Sequence, residues 1–462
     1  MAPVLEIPGI LLSLVLLMVL AYRGISVIIL APVLAMLAVL LSADRDQLLA
    51  IYTQVFMYGV LGFVVKYFPV FLLGAIFGKL MEDSGSARCI ALEIMRSLGP
   101  TRTIPAIVLA CALLTYGGVS VFVVVFAVYP IAASVFREAH IPKRLIPATV
   151  VLGSATFSMT CLPGTVQIQN IIPTAYFGTS IYAAPVLGTV CGLLIMVLGL
   201  TWLKRRAAAI AHEGYGNDLR NEPARIDDGH LPALTVALLP VIVVVGTNFV
   251  FFEVLIPAWD TSYLASAKFG NTSVDTLASL WAIIAGLFAG NMVVIAVNLR
   301  RLHNVNESLG AGAISCMLPT FNTGSEVGYG TTIASLAGFA LIKAGVVDIA
   351  PGYPLISASL AVNTLAGITG SASGGMSIAL AALGDTFANM AREAGVSLEL
   401  MHRVISMSAG GFDSLPHNGA IITILTICGL THRQAYPDIG MVSLVIPFSV
   451  VFGATVVVSL ML

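Results

Sequence analysis

The chain has 462 residues, 58% of them hydrophobic and 10% charged, against about 25% charged in a soluble globular domain, and its mean hydropathy is +0.98. A formal net charge of −1, from 22 basic and 23 acidic residues, leaves no basic stripe for nucleic acid and no acidic tail. Such a balance excludes a soluble domain and a nucleic-acid binder; it leaves an all-α, multi-spanning membrane protein whose partners are lipid, a second copy of itself and a small solute.

The N-terminal run MAPVLEIPGILLSLVLLMVLAYRG places Glu6 before its apolar stretch and Arg23 after it. That is the reverse of a cleavable signal peptide, so a retained first span with Arg23 on the cytoplasmic side is expected. Crossing the hydrocarbon core takes about 20 apolar residues, and residues 4–21 and 25–42 meet that requirement. Arg45 to Tyr58 reads as an interfacial amphipathic segment. Residues 103–136 predict a hairpin that enters and leaves on one side, with Tyr116, Gly117, Gly118 and Ser120 at its tip. A Pro-interrupted stretch, MTCLPGTVQIQN from Met159 to Asn170, precedes a further span at 184–203.

Lys204 to His230 is the longest polar segment and predicts a cytoplasmic linker between a first half, 1–203, and a second, 231–462. The second half opens with spans at 231–256 and 276–298, followed by an interfacial segment from Arg301 to Thr320. A second hairpin is predicted over 355–391 around Ser371, Ser373, Gly374 and Gly375, then a second break, GGFDSLPHNGA from Gly410 to Ala420, and a last span at 440–461. With both hairpins re-entrant, sixteen of the 22 basic residues lie inside, and Arg45, Lys66, Lys268, Lys343, Arg392 and Arg403 lie outside. The positive-inside rule therefore supports ten spans and two hairpins, with both termini outside.

The halves echo one another. Gly78 and Gly85 recur as Gly338 and Gly345, Gly117-Gly118-Val119-Ser120 as Gly374-Gly375-Met376-Ser377, Arg137-Glu138-Ala139 as Arg392-Glu393-Ala394, and Leu162-Pro163 as Leu415-Pro416. Five spans plus one hairpin in each half, an odd number of crossings, predict the inverted-repeat plan of secondary transporters. Chance similarity between Gly-rich helices is the alternative.

Function is expected where helices break. Backbone released from a helix persists at membrane depth only where it faces protein, ions or a polar cavity. Helix N-termini at such breaks suit a carboxylate, and the opposing carbonyls and hydroxyls suit a cation. The expected lining side chains are Thr165, Gln167, Gln169, Asn170, Ser373, Ser377, Ser414, His417 and Asn418, with Gly117, Gly118, Ser120, Gly164, Ser371, Gly374 and Gly375 shaping the tips and turns. Close helix packing is the alternative role for the Gly and Ser positions.

Ionisable groups at membrane depth are functional candidates by default. Asp413 and His417 fall on the second break and suit proton exchange, Asp385 lies on the hairpin arm, and Glu326 opens a span. Alternatively, Asp413 caps the following turn and His417 makes one structural hydrogen bond. With no Lys or Arg in any break, a monoanion fits better than a di- or tricarboxylate, which would want an Arg fork. The six cysteines form no CxxC or metal spacing and read as small hydrophobes, and no cofactor is expected. An intramembrane hydrolase lacks support, because neither a GxSG nor an HExxH pattern occurs.

Three stretches carry a family resemblance: GGVSVFVVVFAVYPIAASVFREAHIPKRLIP, LPGTVQIQNIIPTAYFGTS and HRVISMSAGGFDSLPHNGAIITILTICGLTHRQAYPDI. In these the chain resembles the gluconate permease (GntP) family of the ion transporter superfamily, over nearly its whole length. Members closest to gluconate carriers have a Tyr-Glu pair at the first tip and a PPHPGP run at the first break; here those places read Tyr116-Gly117 and Leu162-Pro163-Gly164-Thr165. The LPG-QIQNIIPT pattern is similar to a branch associated with short hydroxy acids such as 3-hydroxybutyrate. The resemblance implies an elevator-type, proton-coupled symporter in the bacterial inner membrane, working as a dimer with a mobile transport domain in each protomer. Na⁺-coupled symport and Na⁺/H⁺ antiport are the competing modes; under any of them, the intact outer spans, including 184–203 and 440–461, are expected to form the fixed scaffold.

Overall fold

A computed structural model describes residues 6–23, 25–99, 102–216, 222, 231–302, 304–416 and 418–462, and every regular element among them is helical. The first half contains α1 (Ile7–Tyr22), α2 (Val27–Leu40), α3 (Leu48–Ile51), α4 (Met57–Asp83), α5 (Ser86–Leu98), α6 (Thr103–Tyr116), α7 (Val121–Glu138), α8 (Ile146–Ser154), α9 (Phe157–Thr160), α10 (Ile168–Ile171), α11 (Thr174–Phe177) and α12 (Pro185–Ala209). The second contains α13 (Leu234–Val250), α14 (Val274–Asn298), α15 (Val305–Ser315), α16 (Met317–Ser335), α17 (Phe339–Asp348), α18 (Pro354–Thr369), α19 (Ala372–Glu393), α20 (Leu398–Ala409), α21 (Gly419–Cys428), α22 (His432–Gly440) and α23 (Ile446–Met461).

Among the described residues, five helical stretches are long and apolar enough to cross a bilayer: Arg45–Asp83, Pro185–Ala209, Leu234–Leu255, Leu277–Asn298 and His432–Met461. Two expectations change here. The first two predicted spans are helices of 16 and 14 residues, which rise only ~24 Å and ~21 Å against a core about 30 Å thick. The segment Arg45 to Tyr58, expected at the interface, is instead the start of one 39-residue helical stretch ending at Asp83. No Gly or Pro between Arg45 and Tyr58 ends it, and the chain absorbs its change of register in a π-helical turn at Tyr52–Phe56.

Both predicted hairpins are present. α6 and α7 meet through Gly117–Ser120, and Ser120 Oγ caps α7 by accepting from Val123 N. α18 and α19 meet at Gly370 and Ser371, and Ser371 Oγ caps α19 by accepting from Gly374 N. The second tip therefore precedes Ser373, Gly374, Gly375 and Ser377, which lie within α19 and not at the turn as expected. Gly370 takes the positive φ of 63° that the turn requires. Gly375 serves packing instead: an added Cβ would overlap the α18 backbone at Ala366. Gly117 and Gly118 thus lie in the first turn while Gly374 and Gly375 lie within α19, and Ser120 and Ser371 each cap the returning helix.

The helices pack in two groups. α1, α2, α4 and α13 to α16 contact one another, with α4 lying between α14 and α16. The hairpins, α8 to α11, α20 and α21 form the other group, and α12 and α23 pack on it, against each other and against α9 and α18. α12 and α23 therefore stand with the broken elements and not with the outer helices that they were expected to join. The six cysteines are buried free thiols.

At the end of the first hairpin, Glu222 of the linker pairs with Arg137 and, at 2.9 Å, with the buried Lys143, and accepts from Tyr215 Oη at 3.0 Å. Arg220 and Arg225 of the linker lie outside the described residues.

Candidate functional site

The first break begins where α9 ends at Thr160 and runs to Gln167, the residue before α10. Gly164 turns the chain with φ 82°, and its N–H donates to Ile181 O at 3.0 Å. A side chain there would lie 2.7 Å from both Tyr116 Oη and the Tyr182 ring, so glycine is required by conformation and by space. The first hairpin tip is fastened to this break from both sides. Tyr116 Oη donates to Pro163 O at 3.0 Å, while Gln167 Nε2 donates to Thr115 O at 2.7 Å and Val119 O at 3.3 Å. Gly118, with φ 97°, lies against Val166, whereas Gly117 packs against Val241 of α13.

The second break repeats the arrangement with different residues. Asn418 Nδ2 donates to Gly370 O of the second tip and to Asp413 O, both at 2.9 Å, and Asn418 Oδ1 caps α21 by accepting from Ile421 N at 3.0 Å. The capping role considered for Asp413 belongs to Asn418. Asp413 is buried and accepts from Ser414 Oγ at 3.0 Å; Ser414 O in turn accepts from Tyr436 Oη. His417 lies outside the described residues.

The two breaks meet each other. A Cβ on Gly410 would lie 2.9 Å from Thr160 Cγ2, and Ser406 Oγ of α20 donates to Thr160 O at 3.0 Å.

The residue that organises this meeting is Arg403, which was expected in an outer loop. It sits on α20 with 0% exposure. Its Nε donates to Ala183 O at 2.9 Å, Nη2 to Ile181 O at 3.0 Å, and Nη1 to Asn170 Oδ1 at 2.8 Å. Asn170 completes the lock by donating to Thr165 O and Ile181 O at 2.9 and 2.8 Å. The neighbouring His402 is also buried, its ring held between Thr179 Oγ1 and Asn170 Oδ1. Among the described residues no carboxylate pairs with Arg403. The expectation that no Arg reaches a break fails because the guanidinium comes from the other half of the chain. One sequence signal pointed to it: an Arg seven residues before the Gly410-Gly411 break, followed by the uncharged run VISMSAGG.

Several buried oxygens around these elements have no hydrogen-bond partner among the described residues: Thr115 Oγ1, Thr165 Oγ1, Gln169 Oε1, Ser377 Oγ and Glu326 Oε2. Buried polar atoms are ordinarily paired, and the first three belong to the tip and break of the first half. Of the expected lining residues, Thr165, Gln167, Gln169 and Asn170 gather there, and Ser414 and Asn418 gather at the second break. Ser373 lies beside the second tip, its Oγ 3.4 Å from Ser371 Oγ.

A family model described as GntP family permease matches residues 4–314. The chain is 44% identical to an uncharacterized transporter of Bacillus subtilis (strain 168), YxjC, over 471 aligned positions covering 98% of this chain and 99% of the relative. It is 26% identical to an uncharacterized transporter of Haemophilus influenzae, with coverage of 78% and 76%. Among solved structures, the YdaH transporter of Alcanivorax borkumensis superposes with a TM-score of 0.53 at 16% identity, covering 91% of this chain and 89% of that one, a likeness of fold.

Proposed function

The chain belongs to the GntP permease family and is a membrane transporter, not an enzyme; on that premise we propose that it is a symporter importing a small organic monoanion together with H⁺. The substrate is gluconate or a short hydroxy acid such as 3-hydroxybutyrate. Arg403 carries this reading: a guanidinium removed from water, with no acidic partner among the described residues, needs a counter-charge, and an anion at the first break supplies one. Nε and both Nη atoms of Arg403 already donate within the protein, to Ala183, Ile181, Asn170 and Thr160, so it acts through its field and by holding the break open, not as a fork on the ligand. One such charge suits one carboxylate. The unpartnered Thr115 and Thr165 hydroxyls and Gln169 Oε1 suit the hydroxyl groups of a hydroxy acid, which both donate and accept.

Asp413 and His417 are assigned the coupling proton, since the second break carries the ionisable groups that the first lacks. Moving anion and cation together lowers the cost of carrying either across a low-dielectric barrier. The two packing groups support an elevator within an inverted-repeat frame: the hairpins, broken elements, α12 and α23 move against α1, α2, α4 and α13 to α16, in a dimer in the bacterial inner membrane. The test is uptake of labelled 3-hydroxybutyrate and gluconate into proteoliposomes under an imposed pH or Na⁺ gradient. Accumulation driven by the pH gradient is expected; uptake indifferent to both gradients overturns symport.

A further inference from the structure

α16 lies between two helices, and its faces differ. Gly324 and Gly328 turn toward α4 and the π-turn before it, where a Cβ on Gly328 would lie 2.8 Å from Phe56 O. Glu326 and Gly330 turn toward α19: a Cβ on Gly330 would lie 3.0 Å from Ile378 Cα, and a Cβ on Gly374 would overlap the Glu326 carboxyl group. The carboxyl therefore lies directly on the first turn of the second hairpin's return helix. Glu326 is 2% exposed, and its Oε2 has no partner among the described residues. Gly374 N donates to Ser371 Oγ and not to this carboxyl.

Among the described residues, nothing packed around Glu326 compensates a negative charge. α2 has no titratable residue. On α4, Tyr67 donates to Ile172 O, Lys79 pairs with Glu82 and Asp83, and Lys66 lies over the Tyr176 ring; Tyr58 is exposed. On α19, Asp385, Arg392 and Glu393 are 11 or more residues beyond Gly374, about 16 Å or more along the helix. Tyr52 of the π-turn stacks on Phe56, and α15 and α17 join the two ends of α16.

Packing does not need an acid at this place. In the first half, α4 meets the first turn of α7 at Gly78, where an added Cβ would lie 3.5 Å from Val123 Cγ2 and 4.0 Å from Ser120 N. An ionised carboxylate enclosed without a partner is strongly disfavoured, whereas the neutral acid is tolerated. A single free carboxyl oxygen also suits a proton better than a hard metal ion, since Ca²⁺ or Mg²⁺ gathers about six or more oxygens.

We propose that Glu326 is a second proton-binding group of this carrier and that its protonation closes the contact between α16 and the second hairpin. With the proton on the carboxyl, α19 packs on α16 as seen; release of the proton to solvent leaves a carboxylate that this contact cannot hold, and α19 separates. The role in transport rests on the H⁺-symport reading, but the closure itself is measured without transport.

Ile378 is 4% exposed and sits in the same contact, so Ile378→Cys in the full-length protein in proteoliposomes is the probe, and the native thiols are buried. N-ethylmaleimide labelling is read at acidic and alkaline pH and normalised at each pH to the unfolded protein. Labelling is expected to rise several-fold at alkaline pH, to keep that rise with Glu326→Asp, and to stay low at both pH values with the neutral isostere Glu326→Gln. Labelling independent of pH, or a rise that survives Glu326→Gln, overturns the inference. Uptake separates the two ideas: wild-type uptake indifferent to a pH gradient removes the symport reading and leaves the labelling result standing. Gradient-driven uptake by Glu326→Gln at the wild-type rate removes the role of Glu326 and leaves symport intact.

Discussion

Arg403 Nη1 donates to Asn170 Oδ1 at 2.8 Å, joining residues 233 positions apart and tying the helix before the second break to the floor of the first. The first break is thus held by a cation from the other half. Arg403→Gln is expected to abolish substrate-induced thermal stabilisation and saturable uptake. Arg403→Lys keeps the charge but loses the planar fork, and its KM should rise about 10-fold, or ~1.4 kcal/mol. Wild-type KM in Arg403→Gln would show that the ligand does not feel this charge.

Gln167 donates to both Thr115 O and Val119 O at the first tip. Gln167→Leu removes the donor to Val119 O, while Thr115 O keeps the backbone donation from Gly118 N, and a loss of about 1–3 kcal/mol is expected, read as a lower melting temperature in detergent. Tyr116→Phe frees only Pro163 O and should cost about 1 kcal/mol. Because both residues fasten one tip to one break, the double variant should depart from additivity; strict additivity would mean that tip and break do not act as a unit.

Asn418 combines a cap with two tethers, which gives an ordered series. Asn418→Asp keeps the acceptor for Ile421 N and loses the donations to Gly370 O and Asp413 O. Asn418→Ala loses all three and should cost about 2 kcal/mol or more, with Asn418→Asp between it and wild type. An Asp variant less stable than the Ala variant would point to repulsion from the nearby Asp413 instead.

Gly375→Ala should prevent accumulation of folded protein, because the added methyl enters the α18 backbone at Ala366 and backbone cannot give way as a side chain does. Gly62→Ala, on α4 with nothing within 4 Å of the new Cβ, is the matched control and should express normally. Size-exclusion profiles of the two variants make the comparison.

The hairpins and breaks were legible because their causes are local. A Gly-Gly pair interrupts an apolar run, and Pro and Gly amid amides and hydroxyls mark backbone that leaves a helix. Register was less legible. In TGSASGGMS three positions offer a turn, and the structure uses Gly370 for its positive φ while spending Gly374 and Gly375 on close approach to Glu326 and α18. Glycine has one signature in sequence for two physical uses. The early segment misled for a similar reason, since Arg45 to Tyr58 has the polarity of an interfacial helix but nothing that ends it before α4.

Composition and local pattern thus determined that the chain is helical, lives in a membrane, folds two hairpins and breaks two helices. Tertiary structure alone decided what stands at those breaks. Arg403, assigned outside by counting charges along the chain, is the buried cation of the first break; Glu326, one acid among several in the sequence, is the carboxyl laid on the second hairpin. Burial and partnership of a charge depend on which distant segments enclose it, and the partners of Arg403 lie more than two hundred residues away. Charge identity is written in sequence, but its electrostatic surroundings arise only when the halves close on each other.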